Sequence, residues 1–175
     1  LGTGGLSHAF WAPVSIRQRA DGSTAAFPHF VMDRGKPGMI AVDSQGHRYL
    51  NESTSYHLFG LAMQAHDRNV QIVPTWLVCD AGALKRYGLG MIRPGGKGLT
   101  PFLTDGYLKR GTTLEDLAKQ LSIPEINLRT TVERFNQFAD KGVDEDFKRG
   151  TTDYQRANGD ATWTGPNPCL GALRQ

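Results

Sequence analysis

The side chains of this chain best suited to hold a metal are five histidines, two cysteines and one short acidic run, and their spacing argues against such a role. His8, His29, His47, His57 and His66 form no His-x-x-x-His or His-Glu-x-x-His pair. Cys79 and Cys169 lie far apart with no Cys-x-x-Cys. The run Asp144-Glu145-Asp146 lacks the alternating acidic ligands, central glycine and terminal glutamate of a calcium loop, and reads as a solvated loop. Gly2-Thr3-Gly4-Gly5 is glycine-dense, but a phosphate cradle needs a strand before it and a helix after it, and no Gly-x-Gly-x-x-Gly or P-loop occurs. A Gly-x-Ser-x-Gly nucleophile elbow is also missing.

Composition narrows the class. At 175 residues, 39% hydrophobic and 21% charged, the chain is the size of one compact domain with a core of its own. The net charge is +3, with 20 basic residues scattered among 17 acidic ones, so no basic stripe tracks a nucleic-acid backbone. No apolar run approaches the roughly 20 residues that span a bilayer, and the first residues do not look like a signal peptide. Widely separated cysteines suit reduced thiols, and the expectation is a cytoplasmic protein. Twenty-one glycines and nine prolines predict short elements joined by many loops. A start without Met and an extended finish at Pro166-Asn167-Pro168 suggest a piece of a longer polypeptide.

The elements follow from pattern. Phe27 to Met32 and Met39 to Val42 read as strands on either side of a Pro37-Gly38 turn. Asp43-Ser44-Gln45-Gly46 is turn chemistry, and Arg48-Tyr49-Leu50-Asn51 alternates beyond it, which predicts a β-hairpin. Ser53 to Ser55 offer helix caps, followed by Leu58, Leu61, Ala62 and Ala65 at helical spacing. Pro74 to Cys79 reads as another strand, and Gly88 to Gly98 as an irregular loop. Thr112-x-x-Glu115 and Ser122-x-x-Glu125 are capping-box patterns before two helices. The first carries Leu114, Leu117 and Leu121; the second has Pro124 in its first turn, then Leu128, Val132, Phe135 and Ala139, and ends near Gly142. Together these predict a single α+β domain over 1–175, with a small antiparallel β-sheet flanked by helices, and an extended linker over 158–175.

Several segments share an order and spacing with a known family. Trp11-Ala12-Pro13 precedes Arg34-x-x-Pro37-Gly38-x-Ile40-x-Val42-Asp43-x-x-Gly46-x-Arg48-Tyr49-x-Asn51-Glu52. Then come Thr113-Leu114-Glu115-Asp116-Leu117-Ala118, Val132-Glu133-Arg134-Phe135-Asn136-x-Phe138-Ala139, and Gly142-x-Asp144-x-Asp146-Phe147-x-Arg149-Gly150. Pro166-Asn167-Pro168-x-Leu170-Gly171 closes the series. This colinear set, over about residues 9 to 172, resembles the substrate-binding (cap) domain of FAD-dependent 3-ketosteroid dehydrogenases, within the fumarate reductase superfamily. Gly-x-Arg-Tyr-x-Asn-Glu alone is shared by fumarate reductases too.

The resemblance implies the cap domain of a two-domain flavoprotein, with FAD bound mainly by a domain of the same polypeptide outside this chain. It implies removal of a proton and a hydride from adjacent carbons beside a ketone of steroid-like substrates, and an isolated chain without activity. It places the catalytic tyrosine at Tyr56, four residues after Glu52. A phenol titrates near about 10, so a base at neutral pH must have that value lowered or pass its proton onward. On its own, a tyrosine in the first turn of an amphipathic helix is an ordinary half-buried packing residue. Phe30 and Met32 are candidates to line an apolar substrate pocket, though such residues on a strand usually serve the core. Tyr56-His57 stands where fumarate reductases carry an arginine, which favours an apolar ketone over a dicarboxylate. Trp11, Trp76 and Phe59 read as core. Asn51 and Glu52 read as capping groups at the corner before the helix, and Arg149 with Asp146 as a loop network. The alternatives are a cap of a fumarate reductase-like enoate or dicarboxylate reductase, and a stand-alone binding module without redox activity.

Overall fold

A computed structural model describes residues 9–68, 70 and 73–174. Gly2-Thr3-Gly4-Gly5 lies outside them. The order of elements is β1 (Val14–Gln18), β2 (Thr24–Pro28), β3 (Met39–Val42), α1 (Tyr56–Asp67), β4 (Trp76–Cys79), α2 (Ala81–Tyr87), α3 (Thr100–Thr104), α4 (Leu114–Leu121), α5 (Glu125–Lys141) and α6 (Asp153–Asn158). The domain is α+β. Two antiparallel pairs, β1 with β2 and β3 with β4, are its sheets.

Strand β3 lies at the centre. All four of its residues are buried, because both faces of the β3–β4 pair are covered. Ile40 and Val42 enter a cluster with Leu121, Leu128, Val132, Phe135 and Leu170, while Ala41 turns the other way to join Leu50 and Phe59. This opposite pointing of successive residues divides the interior into an α4/α5 layer and an α1 layer. Helix α5 buries the predicted stripe of Leu128, Val132, Phe135 and Ala139 and adds Phe138. It ends at Gly142 in the left-handed conformation, φ 77°, where an added Cβ would come within 2.7 Å of Pro166.

Several sequence expectations are corrected. The strand Met39–Val42 pairs with Trp76–Cys79 and not with Arg48–Asn51, which has no ladder of its own. The Asp43–Gly46 turn does form, with Gly46 N donating to Asp43 O, but it closes on His47 only. The hairpin present is β1–β2, turned at Asp21-Gly22, and its second strand stops at Pro28, so Phe30 and Met32 lie in the loop beyond it. Thr113, not Thr112, caps α4 by accepting from Asp116 N at 3.1 Å. Ser122 is the left-handed C-cap of α4, and α5 starts from Pro124 with no side-chain cap. In α1 the buried stripe is Phe59, Gly60, Ala62 and Met63; Leu58 and Leu61 face outward. Trp11 is exposed on that same helix and not part of the core.

The extended stretch after α6 is anchored along its length. Leu170 and Cys169 are fully buried, and Asn136 on α5 binds the Leu173 backbone through both its amide nitrogen and its oxygen, at 3.0 and 2.8 Å. Gly38 N donates to Gly171 O at 3.1 Å. Leu170→Ala should therefore cost about 2–5 kcal/mol in urea unfolding, as for any well-packed leucine; a loss near 0.5 kcal/mol would mean that the segment is loosely attached.

Candidate functional site

Tyr56 is the first residue of α1, and its position is set by the corner before it. Ser55 caps the helix by accepting from Leu58 N at 3.3 Å. Asn51 Oδ1 accepts from Ser53 N at 2.9 Å, and its amide donates to Phe147 O at 3.0 Å. Asn51 thus holds the corner by a turn bond to Ser53 and not by capping the helix, whereas Glu52 does something else. Its carboxylate is fully buried and meets two arginines: Arg48 in bidentate contact at 2.8 Å, and Arg149 at 3.1 Å. Arg48 also reaches Asp144 at 2.9 Å and lies between the rings of Phe135 and Phe147. Asp144 is thus buried, not solvated, and the loop pair expected for Arg149 and Asp146 is replaced by this network. Asp146 instead holds the exposed Arg134.

Arg149 is itself fully buried. It donates to Ser53 Oγ and to the carbonyls of Met39, Arg34 and Lys36, besides Glu52. Burial disfavours the Glu52 and Asp144 charges, but the arginines outweigh that and hold both carboxyls below their ordinary values. Burial pulls Arg149 down despite Glu52, and brings Arg34 to about 10 despite Asp33.

Arg34 carries the second half of the corner. Its guanidinium lies 4.7 Å from the centre of the Phe59 ring and donates to the carbonyls of His29, Phe30 and Glu52. One buried cation therefore ties the loop bearing Phe30 to the corner bearing Tyr56. The two rings meet edge to face, centroids 5.3 Å apart at 76°. Phe30 is 50% and Met32 66% exposed. Nearby, Phe10 packs edge-on against His57, His57 Nδ1 accepts from Trp11 N at 3.2 Å, and Trp11 crosses α1 at Gly60, where an added Cβ would come within 2.7 Å of it. With outward Leu58 and Leu61, these residues leave a row of large apolar side chains on the surface.

Behind this surface lies a cleft of about 490 Å³, with Val14 and Ile16 of β1, Phe59 and Met63 of α1, Leu77 of β4, and Ile92 among its walls. Its polar wall is a chain of side chains: Asp33 to His29 at 2.5 Å, His29 to Ser15 at 2.8 Å, and Ser15 to Tyr107 at 2.7 Å. Neither Tyr56 nor Phe30 lines it. Sequence reasoning missed this cleft because β1 went unrecognised. The Asp21-Gly22 pair between two five-residue runs is the hairpin signal that would have found it.

The outward apolar face and the contact of Tyr56 with Phe30 belong to a chain whose family is shown by comparison with known proteins. A family model described as an FAD binding domain matches residues 1–173, and the chain belongs to that family. It is 39% identical to a 4-oxocyclohex-2-ene-1-carboxylate 5-dehydrogenase of Sinomonas cyclohexanicum over 93% of its own length, and 36% identical to a 3-oxosteroid 1-dehydrogenase of Mycolicibacterium smegmatis over 97%. It spans 27% and 29% of those two proteins. A 3-ketosteroid delta1-dehydrogenase from Sterolibacterium denitrificans, solved in complex with 1,4-androstadiene-3,17-dione, superposes with a TM-score of 0.80 at 33% identity, covering 94% of this chain and 30% of that one. The chain is thus homologous to the 3-ketosteroid dehydrogenases.

FAD is the cofactor of this family. The described residues do not fit it. No strand among them runs through a glycine-rich turn into a helix, and both sheets are antiparallel pairs. No cluster of metal ligands and no helix long and apolar enough to cross a membrane occurs among the described residues.

Two consequences of the network are measurable. Arg149→Ala should cost about 3–5 kcal/mol in urea unfolding, since Glu52 would keep its buried charge with one arginine fewer. Glu52 and Asp144 have folded values below their unfolded values of 4.5 and 3.8, so the stability they contribute is complete above those values and is lost as pH falls through the folded ones. Unfolding free energy should fall steeply below about pH 4.5; a steep loss already between pH 7 and 6 would assign acid sensitivity to other groups.

Proposed function

We propose that the chain is the substrate-side (cap) domain of an FAD-dependent oxidoreductase acting on adjacent carbons beside a ketone, with Tyr56 as its catalytic base. The observation that carries this reading is the contact of Tyr56 with Phe30 on an outward apolar surface that a buried arginine holds in place. Phe30 and Met32 would lie against an apolar alicyclic ketone of 3-oxosteroid type, and the Tyr56 oxygen would take the proton from the carbon next to the carbonyl. The flavin, held by another domain of the same polypeptide, supplies the two-electron chemistry. The segment 158–175 is the return towards that domain. The chain alone would be inactive, because its described residues form no dinucleotide cradle. Two free thiols suit a cytoplasmic setting.

The relatives named for oxocyclohexane carboxylates and for 3-oxosteroids both act beside ring ketones, which supports the reaction class and leaves two ring sizes to compare. A dicarboxylate would call for arginine forks. Arg34, Arg48 and Arg149 are engaged in internal bonds, which favours the apolar ketone.

The test uses the full-length protein, mixed anaerobically with a 3-oxosteroid or with 4-oxocyclohexanecarboxylate while flavin absorbance is followed. Bleaching by the steroid is expected, slowed about 100-fold or more in Tyr56→Phe, the scale of a lost general base. Bleaching by the monocyclic acid alone would replace the steroid with the smaller ring. Undiminished bleaching in Tyr56→Phe would remove Tyr56 from the chemistry, and a protein without flavin would leave a binding module.

A further inference from the structure

The polar wall of the cleft has a direction. Asp33 Oδ2 lies 2.5 Å from His29 Nδ1 and accepts the Gly90 amide at 3.2 Å. Burial raises the Asp33 carboxyl, but the His29 hydrogen bond and charge, with the Arg34 and Gly90 amides, outweigh that and keep it ionised. An ionised carboxylate only accepts, so His29 Nδ1 is the donor, and Nε2 faces Ser15 Oγ at 2.8 Å. On its far side Ser15 Oγ is 2.7 Å from the Tyr107 hydroxyl, which accepts the Met91 amide at 3.2 Å. When Nε2 carries no proton, Ser15 donates to it and Tyr107 donates to Ser15. His29 and Asp33 are only 6% and 8% exposed, whereas Ser15 is partly open and lines the 490 Å³ cleft. A nucleophile, a base within reach, a third group orienting that base and a space beside the nucleophile are the parts of an acyl-transfer site.

We propose that Ser15, His29 and Asp33 form a hydrolytic site for carboxylic esters whose apolar acyl group lies in the cleft against Phe59, Met63 and Leu77. Ser15 Oγ bonds to the ester carbonyl carbon as its proton moves to His29 Nε2. The Tyr107 hydroxyl is the donor placed to follow the charge onto the carbonyl oxygen. The carbon to alkoxy bond then breaks, and the proton on Nε2 leaves with the alcohol. Water adds to the acyl-serine through the same nitrogen and releases the carboxylic acid. No electrons are exchanged, so this site stands independently of the flavin reading and of Tyr56.

Positions 15, 29 and 33 follow no sequence motif. They are joined by the β1–β2 register, which sets Ser15 opposite Phe27, and by the His29 amide, which donates to Pro13 O and carries the pairing one step past Pro28.

The experiment treats the full-length protein with a fluorophosphonate probe, maps the adduct by mass spectrometry and follows hydrolysis of 4-nitrophenyl butyrate in parallel. One adduct on Ser15 is expected, absent in Ser15→Ala and after urea unfolding, and formed about 100-fold more slowly in His29→Gln, with ester hydrolysis lost in step. No adduct on Ser15 in the folded protein, or labelling as fast in His29→Gln as in the parent, overturns the proposal and leaves the chain as a fastening for the hairpin. Circular dichroism checks each variant. If Ser15→Ala does not fold, Ser15→Cys keeps a hydrogen-bonding atom there: iodoacetamide should then alkylate position 15 faster than Cys79 or Cys169, and equal or slower reaction overturns the proposal.

Discussion

The structure depends most on the buried contact between Glu52 and its two arginines, Arg48 and Arg149. Three charges, with Asp144 as a fourth, lie where water does not reach, and each is matched by charge and by directed hydrogen bonds. A wholly apolar packing of the same volume could be as stable or more so. It would not fix the carbonyls of Met39, Arg34 and Lys36 at defined positions, as the planar guanidinium of Arg149 does. That constraint sets the Arg34 loop and the start of α1, so the face carrying Phe30 and Tyr56 inherits its geometry from ion pairs beneath it.

The domain therefore has a firm side and an unfinished one. Two layers close over β3, with Leu128, Phe135 and Leu170 excluded from solvent, while Phe10, Phe30, Met32 and Leu58 stay outward. The β1–β2 hairpin is attached to the body by polar contacts: Ser15 with Tyr107, and Arg17 with Asp105 at 2.6 Å and with the Phe102 ring. Among the described residues, those outward apolar side chains are left without a covering layer.

How much of this was legible follows from which forces are local. Helix α5 was readable because a repeat of Leu128, Val132, Phe135 and Ala139 ending in glycine admits one burial face and one stop. Helix α1 was readable as a helix but not by face. Leu58 and Leu61 fit helical spacing as well as Phe59, Ala62 and Met63 do, and only the layer against Ala41 selects the second set. The hairpin assigned to Met39–Asn51 failed because β3 finds its partner 34 to 40 positions later, a pairing no local pattern announces. Asp144 looked solvated, and Arg149 looked like the partner of Asp146 in a loop, for a similar reason: charge in sequence implies exposure until a distant Glu52 is known. Tyr56 and Phe30 came from a resemblance, and their ring contact is a fact of tertiary structure. The Ser15 chain has neither motif nor resemblance to reveal it.

The network also bears on how the chain is made. Arg48 and Glu52 are four residues apart and can meet as soon as they are synthesised, but Arg149 lies 97 positions after Glu52 and 110 after Met39. At about 5–20 residues per second, a nascent chain holds Glu52 for several seconds or more before its second arginine arrives. Through that interval Glu52 has Arg48 alone, and the corner settles only once Arg149 has left the ribosome.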